Sequence, residues 1–186
     1  MDNAVLQTIA NRRSHRRYLP QQLTQQQLDA IIDAALQSPS GMNHQPWHFS
    51  VVQNPQVLKD ISAAARAVDA TLPEEERSKR FQDPDFQIFY SAPTAILVWV
   101  EKGSHYALVD CGIAVQSIAL AAQSLGLGSV IIGLTRHAFD GDQADALKQK
   151  LQVPPGCRFA ISIAIGTPDD TKPAHAMNRD KVTIIK

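Results

Sequence analysis

Apolar and polar positions along this chain switch repeatedly between helical and extended spacing. Residues 3–13 read as a short first helix. Residues 24–37 predict a second, because Leu28, Ile31, Ile32, Ala35 and Leu36 recur at helical intervals, and Thr24 and Gln27 stand at capping-box spacing. Ser38-Pro39-Ser40-Gly41 stops it, since proline and glycine do not propagate a helix. A polar loop, 42–46, leads into the alternating run 47–53, a strand. Asn54-Pro55 supplies an N-cap and a first-turn proline for a helix to about Ala70. Residues 71–88, charged and broken by Pro73 and Pro84, read as a surface excursion with one short helix. The unbroken apolar run 95–100 is a buried strand, 106–125 a long apolar helix, 129–133 a short strand, 140–151 an amphipathic helix and 159–165 another strand. The polar tail after Gly166 ends in Val182-Thr183-Ile184-Ile185, which reads as a last short strand. Helices and strands interleaved in this way, with no internal repeat, predict an α/β or α+β class with helices packed on a mixed sheet.

Composition changes this picture little. With 186 residues, 44% hydrophobic and 19% charged, the chain is ordinary globular material, long enough to bury a core as one domain, 1–186. Its zero formal charge gives no reason to expect nucleic acid or an anionic membrane as partner. Cys111 and Cys157 form no CxxC and suggest no disulfide scaffold, so a reducing cytoplasm is the default. Met1-Asp2-Asn3-Ala4 lacks a basic start before an apolar run, so no leader is expected. The helix 106–125 is interrupted by Asp110, Gln116, Ser117, Gln123 and Ser124, which suits a buried helix better than a membrane span.

Interest therefore falls on local clusters. Arg12-Arg13-Ser14-His15-Arg16-Arg17 puts four arginines within six residues of a neutral protein. Guanidinium forks and a serine hydroxyl bind phosphate oxygens, so a phosphate monoester is the natural partner. A solvated basic face at a helix end fits the same residues. A nucleic-acid contact finds no further basic and aromatic patch to support it. The second cluster runs from Ser38 through Ser40, Gly41, Asn43 and Gln45 to Trp47. Asn and Gln amides carry donors and an acceptor, suited to a ligand edge that mixes them, such as the pyrimidine edge of a flavin. An ordinary helix-to-strand loop with Trp47 in the core is the other reading. Gly126-Leu127-Gly128 follows a helix and precedes a strand, the wrong order for a dinucleotide turn. His44 and His48 have no helix to align them, so no metal site is expected, and Cys111 reads as a small core residue.

Together the two clusters carry a resemblance. Arg-Arg-Ser-x-Arg near the N-terminus, then Ser-Pro-Ser-x-x-Asn-x-Gln-Pro-Trp-x-Phe one helix later, resembles the nitroreductase family of FMN enzymes. Ala92-Pro93, Asp110-Cys111-Gly112, the run 125–133, Gly166-Thr167-Pro168 and Arg179 follow in the same order. The resemblance implies an α+β sandwich, a mixed, mainly antiparallel sheet flanked by helices, in an intertwined homodimer with FMN at the interface. Arg12, Arg13, Ser14 and Arg16 would hold the ribityl phosphate. Pro39, Ser40, Asn43 and Gln45 would reach the flavin, some from the partner. Backbone groups of Ile131, Ile132 and Gly133 would line the ring, with Arg179 and Lys172 as further phosphate ligands. NADH or NADPH would deliver hydride to flavin N5, and a nitroaromatic, quinone or related small molecule would accept it, without a catalytic side chain. A flavin-fragmenting or dehalogenating enzyme, a non-catalytic flavin binder and a basic-arm nucleic-acid module are the alternatives. Two departures stand out: Gly133 aligns where some members carry Glu, and an Asn-x-x-Lys pair before the central strand is missing.

The helix 106–125 adds an expectation about assembly. Apolar residues lie nearly all round it, so it must be covered on most sides. A second subunit is the simplest cover for a chain this short, burial wholly within one monomer being the alternative, and Glu at Ala119 is then expected to disrupt dimer and flavin binding together or to misfold the chain.

Overall fold

The computed structural model describes residues 3–101 and 106–186. Met1 and Asp2, half of the leader reading, lie outside these. The elements are α1 (Ala4–Asn11), α2 (Gln25–Leu36), β1 (Trp47–Val52), α3 (Pro55–Thr71), β2 (Thr94–Val100), α4 (Ala107–Ser124), β3 (Gly128–Ile132), α5 (Ala144–Lys150) and β4 (Arg158–Gly166).

Local chemistry explains several of their ends. Thr24 and Gln27 close a reciprocal capping box at α2. Asn54 accepts from the N–H groups of Gln56 and Val57 at the start of α3, with Pro55 in its first turn. Gly126, at φ 74°, ends α4: its N–H bonds Gln123 and that of Leu127 bonds Ala122, a Schellman turn only glycine enters easily.

The four strands form one sheet in the order β1-β2-β4-β3, and every pairing in it is antiparallel. The expected mixed sheet is thus purely antiparallel among the described residues; the parallel component shrinks to an isolated bridge between Ser14 and Ser129. Central β2 is buried along its whole length, and its side chains alternate between two cores. Ala95, Leu97 and Trp99 join Ile61, Ala65 and Phe139 on the α3 side. Ile96 meets Ile31, Ile118 and Ile163 under α2 and α4, while Val98 and Val100 meet Cys111 and Ala114. Each fully buried isoleucine contributes about 1.5–3 kcal/mol of transfer free energy.

Four expectations need correction. The helix expected over 140–151 covers only Ala144–Lys150, behind a 3-10 turn, Leu134–Phe139. The intervening chain packs tightly on α3, where a Cβ on Gly141 would run into Val68. The excursion contains two 3-10 turns, Glu74–Glu76 and Lys79–Gln82, in place of one short helix. The tail pattern 182–185 forms no strand, because an extended segment needs a neighbouring ladder and this one has none among the described residues; Val182, Ile184 and Ile185 are exposed. Finally, Ala119 is fully buried against Ile31 and Ile163 of its own chain, so it does not mark an interface. The large apolar residues that α4 turns outward are Leu108, Val109 and Ile113, near its N-terminus. By length and composition α4 could cross a membrane. Eight of its residues, Asp110 included, are nevertheless buried within the fold.

Candidate functional site

The arginine segment is fastened to one end of the sheet. After α1, Ser14 bridges Ser129, and the N–H of His15 donates to the Ser129 carbonyl at 3.0 Å. Tyr18 bridges Pro168, Leu19 N–H donates to the Thr167 carbonyl, and Asp169 N–H donates to the Arg17 carbonyl, each at 2.9 Å for the two hydrogen bonds. Gly128 makes the approach possible: a Cβ there would sit 2.9 Å from Pro168 and 3.0 Å from the His15 ring. His15 Nδ1 meets Asp170 Oδ1 at 2.6 Å, and Asp170 Oδ2 accepts from the Arg16 N–H at 3.2 Å. Burial pushes the Asp170 carboxyl up; the His15 hydrogen bond, the Arg16 N–H and the His15 and Lys172 charges outweigh it and hold the carboxyl below its ordinary range.

The arginines then divide by partner. Arg13 Nη1 donates to the carbonyls of Ala10 and Arg12 at 2.6 and 2.7 Å, closing the end of α1. Arg17 donates twice to the Asp169 carbonyl. The guanidinium groups of Arg12 and Arg16 have no hydrogen-bond or ion-pair partner among the described residues, and Arg16 rests 5.9 Å from the centroid of the Tyr90 ring. Two guanidinium forks without hydrogen-bond partners, two positions before and two after Ser14 in the chain, make up a donor set of the kind that fits a phosphate monoester.

The amide loop hangs from the other end of α4. Ser38 Oγ donates to Ser117 Oγ at 2.8 Å, and Gly41 N–H donates to Asp110 Oδ1 at 3.2 Å. Ser40 Oγ accepts from the Gln45 N–H at 2.9 Å, while Gln45 Nε2 donates to Asn43 Oδ1 at 3.2 Å. Met42, Asn43 and Gln45 have φ of 51°, 56° and 46°, a left-handed conformation that costs about 1–3 kcal/mol per non-glycine residue. Asp110 is buried, and its Oδ2 has no hydrogen-bond partner among the described residues. In the sequence Asp110 stands out only as the opening of a small-residue helix; its role as the hook for this loop has no local signal. His15, Asp170 and Tyr90 were likewise not singled out.

The two candidate clusters do not meet within one chain. The arginine segment lies where β3 begins, just past the C-terminal end of α4, and the amide loop lies at the N-terminal end of α4. At about 1.5 Å per residue, the stretch of α4 from Asp110, which holds Gly41, to Ser124 separates their anchors by roughly 21 Å. Pro39, Asn43 and Gln45 are exposed and Ser40 is half-buried. Ile131 turns its side chain outward, Ile132 is buried on the α3 side, and Gly133 is exposed. Lys172 Nζ is tied to Asp170 at 3.5 Å. Arg179 stands in an exposed 3-10 turn with no polar link to the arginine segment. Cys111 is buried in the core, and burial, with Asp110 beside it, pushes its thiol up to about 11.

The sequence profile of the Nitroreductase family matches residues 9–167. The chain belongs to that family. Its fold matches that of a Desulfitobacterium hafniense nitroreductase solved with bound FMN, at a TM-score of 0.94 and 37% identity over 100% of both chains. A Methanothermobacter thermautotrophicus protein provisionally named NADH dehydrogenase/NAD(P)H nitroreductase is 37% identical over 134 residues, 70% of this chain; the match spans 61% of that protein's length. An iodotyrosine deiodinase from Thermotoga neapolitana is 26% identical, covering 90% of each chain. This nitroreductase-family fold accordingly carries the clusters on the two ends of one helix, with FMN-dependent oxidoreduction as the chemistry its relatives support.

Proposed function

We propose that this chain is an FMN-dependent NAD(P)H oxidoreductase that reduces nitroaromatic, quinone or related small-molecule acceptors and works as a homodimer. The observation that carries the reading is the pair of unpartnered guanidinium groups, Arg12 and Arg16, beside Ser14. FMN held by these residues would supply the hydride-transfer chemistry between NADH or NADPH and the acceptor. The protein's share is binding and orientation. Arg12, Ser14 and Arg16 hold the phosphate; Arg13, spent on α1, fixes the segment's direction and adds positive potential. The strained loop presents Pro39, Ser40, Asn43 and Gln45 to the flavin's polar edge. Backbone groups at Ile131, Ile132 and Gly133 line the ring, and Arg179 and Lys172 add charge from the tail. No side chain is assigned a proton transfer.

The distance between the clusters supports the dimer. One flavin served by both needs the loop of a second subunit. Apolar side chains left outward suit such a partner: Val5, Leu6 and Ile9 on α1, Leu108, Val109 and Ile113 on α4, Val182 and Ile184 in the tail. The unit 1–186 then acts as one FMN-binding domain in a reducing cytoplasm, with neither nucleic acid nor membrane as partner. A reductive dehalogenase is the second reading, favoured by the likeness to the iodotyrosine deiodinase.

The visible spectrum of the purified protein and identification of the heat-released cofactor test the core of this. FMN is expected; FAD, or no flavin affinity, overturns it. Oxidation of NADH and NADPH, measured with nitroaromatic, quinone and halogenated aromatic acceptors, then separates a reductase from a dehalogenase and from a passive binder.

A further inference from the structure

The excursion before β2 carries a cation that the phosphate cradle does not use. Arg80 stands in the turn Lys79–Gln82, and its Nη1 donates a hydrogen bond to the Tyr90 hydroxyl. Its guanidinium lies 5.6 Å from the centroid of the Tyr90 ring, and that of Arg16 lies 5.9 Å from the same ring. Neither arginine has an ion-pair partner among the described residues. Two like charges drawn to one phenol repel, and the ring face offsets only part of that.

The group is also held in place before any ligand arrives. Arg66 donates to the carbonyls of Phe81, Asp83, Pro84 and Phe86 at 2.8–3.1 Å, stapling the segment to α3. Ser78 N–H donates to the buried Asp69 at 2.9 Å. Phe81, Phe86 and Tyr90 stack edge to face at 5.6 and 5.5 Å. Tyr90 and Ser91 have φ of 55° and 56°, a conformation that persists only where its surroundings fix it.

We propose that Arg80, the Tyr90 hydroxyl and Arg16 form an oxyanion subsite for the carboxylate of an acidic aromatic substrate, at the rim of the flavin site. The inference rests on the flavin reading above. The Tyr90 oxygen accepts from Arg80, which leaves its own proton to donate to a carboxylate. Guanidinium forks match a planar carboxylate, and Arg16 has donors enough to serve it as well as a phosphate. The substrate is favoured over the cofactor as the source of the anion because Arg80 belongs to the excursion, while the phosphate donors belong to the sheet-anchored segment 12–16.

The test uses the FMN-loaded protein and three substitutions: Arg80→Ala, Arg80→Lys and Tyr90→Phe. Binding of 4-nitrobenzoate and of nitrobenzene to the oxidised holoprotein is titrated through the flavin absorbance, and FMN affinity is measured separately. Wild type is expected to prefer 4-nitrobenzoate. Arg80→Ala is expected to weaken 4-nitrobenzoate about ten- to hundredfold, while nitrobenzene and FMN change less than about threefold. Arg80→Lys recovers part of the loss, and Tyr90→Phe loses less than Arg80→Ala. Equal weakening of both nitro compounds, or a wild type that does not prefer the acid, overturns the subsite with the flavin reading intact. So does an FMN affinity that falls as far as 4-nitrobenzoate binding, since the anion is then the cofactor's phosphate. A protein that binds no FMN overturns both.

Discussion

The arginine segment and the amide loop are held by opposite means. Residues 14–19 run along the ends of β3 and β4 in ordinary geometry, fixed by backbone hydrogen bonds to Ser129 and Thr167. The loop 38–46 meets the sheet only at its last residue, where the Pro46 carbonyl accepts from the Glu101 N–H; three of its non-glycine residues have positive φ, and it hangs from α4 by Asp110 and Ser117. A phosphate asks for charge at a fixed place, and a fastened segment provides that. A mixed donor and acceptor edge asks for shape, and the loop obtains it through strain that α4 must hold. Because the two stand at opposite ends of one helix, the proposal that both serve one ligand calls for the loop of a second subunit.

The largest expected effect tests that last step. Val109→Glu puts an unpaired charge on the outward face of α4, at a cost of several kcal/mol if the face is covered. Light scattering is expected to report one chain in place of two, with flavin content lost at the same time. A wild-type monomer loaded with FMN would break the comparison, because one chain would then suffice. Glu at Ala119 is expected to unfold the chain instead, since that site lies in its own core.

The two regions are separated next by substitutions in each. Arg16→Ala removes the charged hydrogen bond proposed to the FMN phosphate, worth about 1.5–3 kcal/mol, so FMN affinity is expected to fall roughly ten- to more than a hundredfold in a flavin titration. Arg13→Ala should cost less, because its guanidinium already serves Ala10 and Arg12. Asp110→Ala strips the Gly41 N–H of its acceptor, about 1–3 kcal/mol. The thermal midpoint should drop by roughly 2–4 °C per kcal/mol. Amide exchange should quicken at 41–45 and not at 14–19; equal quickening at both would show the regions to be one unit. Asp110→Asn, which keeps the acceptor, should lie nearer wild type.

The smallest effect belongs to the arginine side. Asp170 titrates below its ordinary 3.8 in the folded chain. A carboxyl lowered on folding adds stability above its unfolded value and loses it as pH falls through the folded value. Urea unfolding between about pH 5 and pH 3 should therefore show an acid loss that Asp170→Asn lacks. An unchanged pH slope in the variant would remove Asp170 from the account of how this segment is fastened.

Much of this was readable beforehand where the cause is local. The capping box at Thr24 and the Asn54-Pro55 start of α3 each depend on residues a few positions apart. The tail pattern at 182–185 misled because alternation records a preference for extended backbone, and a strand also needs a neighbour. The helix start expected near 140 failed for a similar reason, since packing on Val68 decided where the chain turns.

By itself the sequence determined the order of elements, the two chemical clusters and their likeness to FMN enzymes, because spacing and side-chain type are local facts. Only the tertiary structure decided which arginines stay unpaired, what hooks the amide loop and how far apart the clusters stand. Those outcomes turn on partners distant in the chain: Asp110 lies 69 positions from Gly41, and Asp170 lies 155 from His15. No periodicity encodes such meetings; they arise when buried backbone and charge must find the nearest available partner once the sheet and helices have closed.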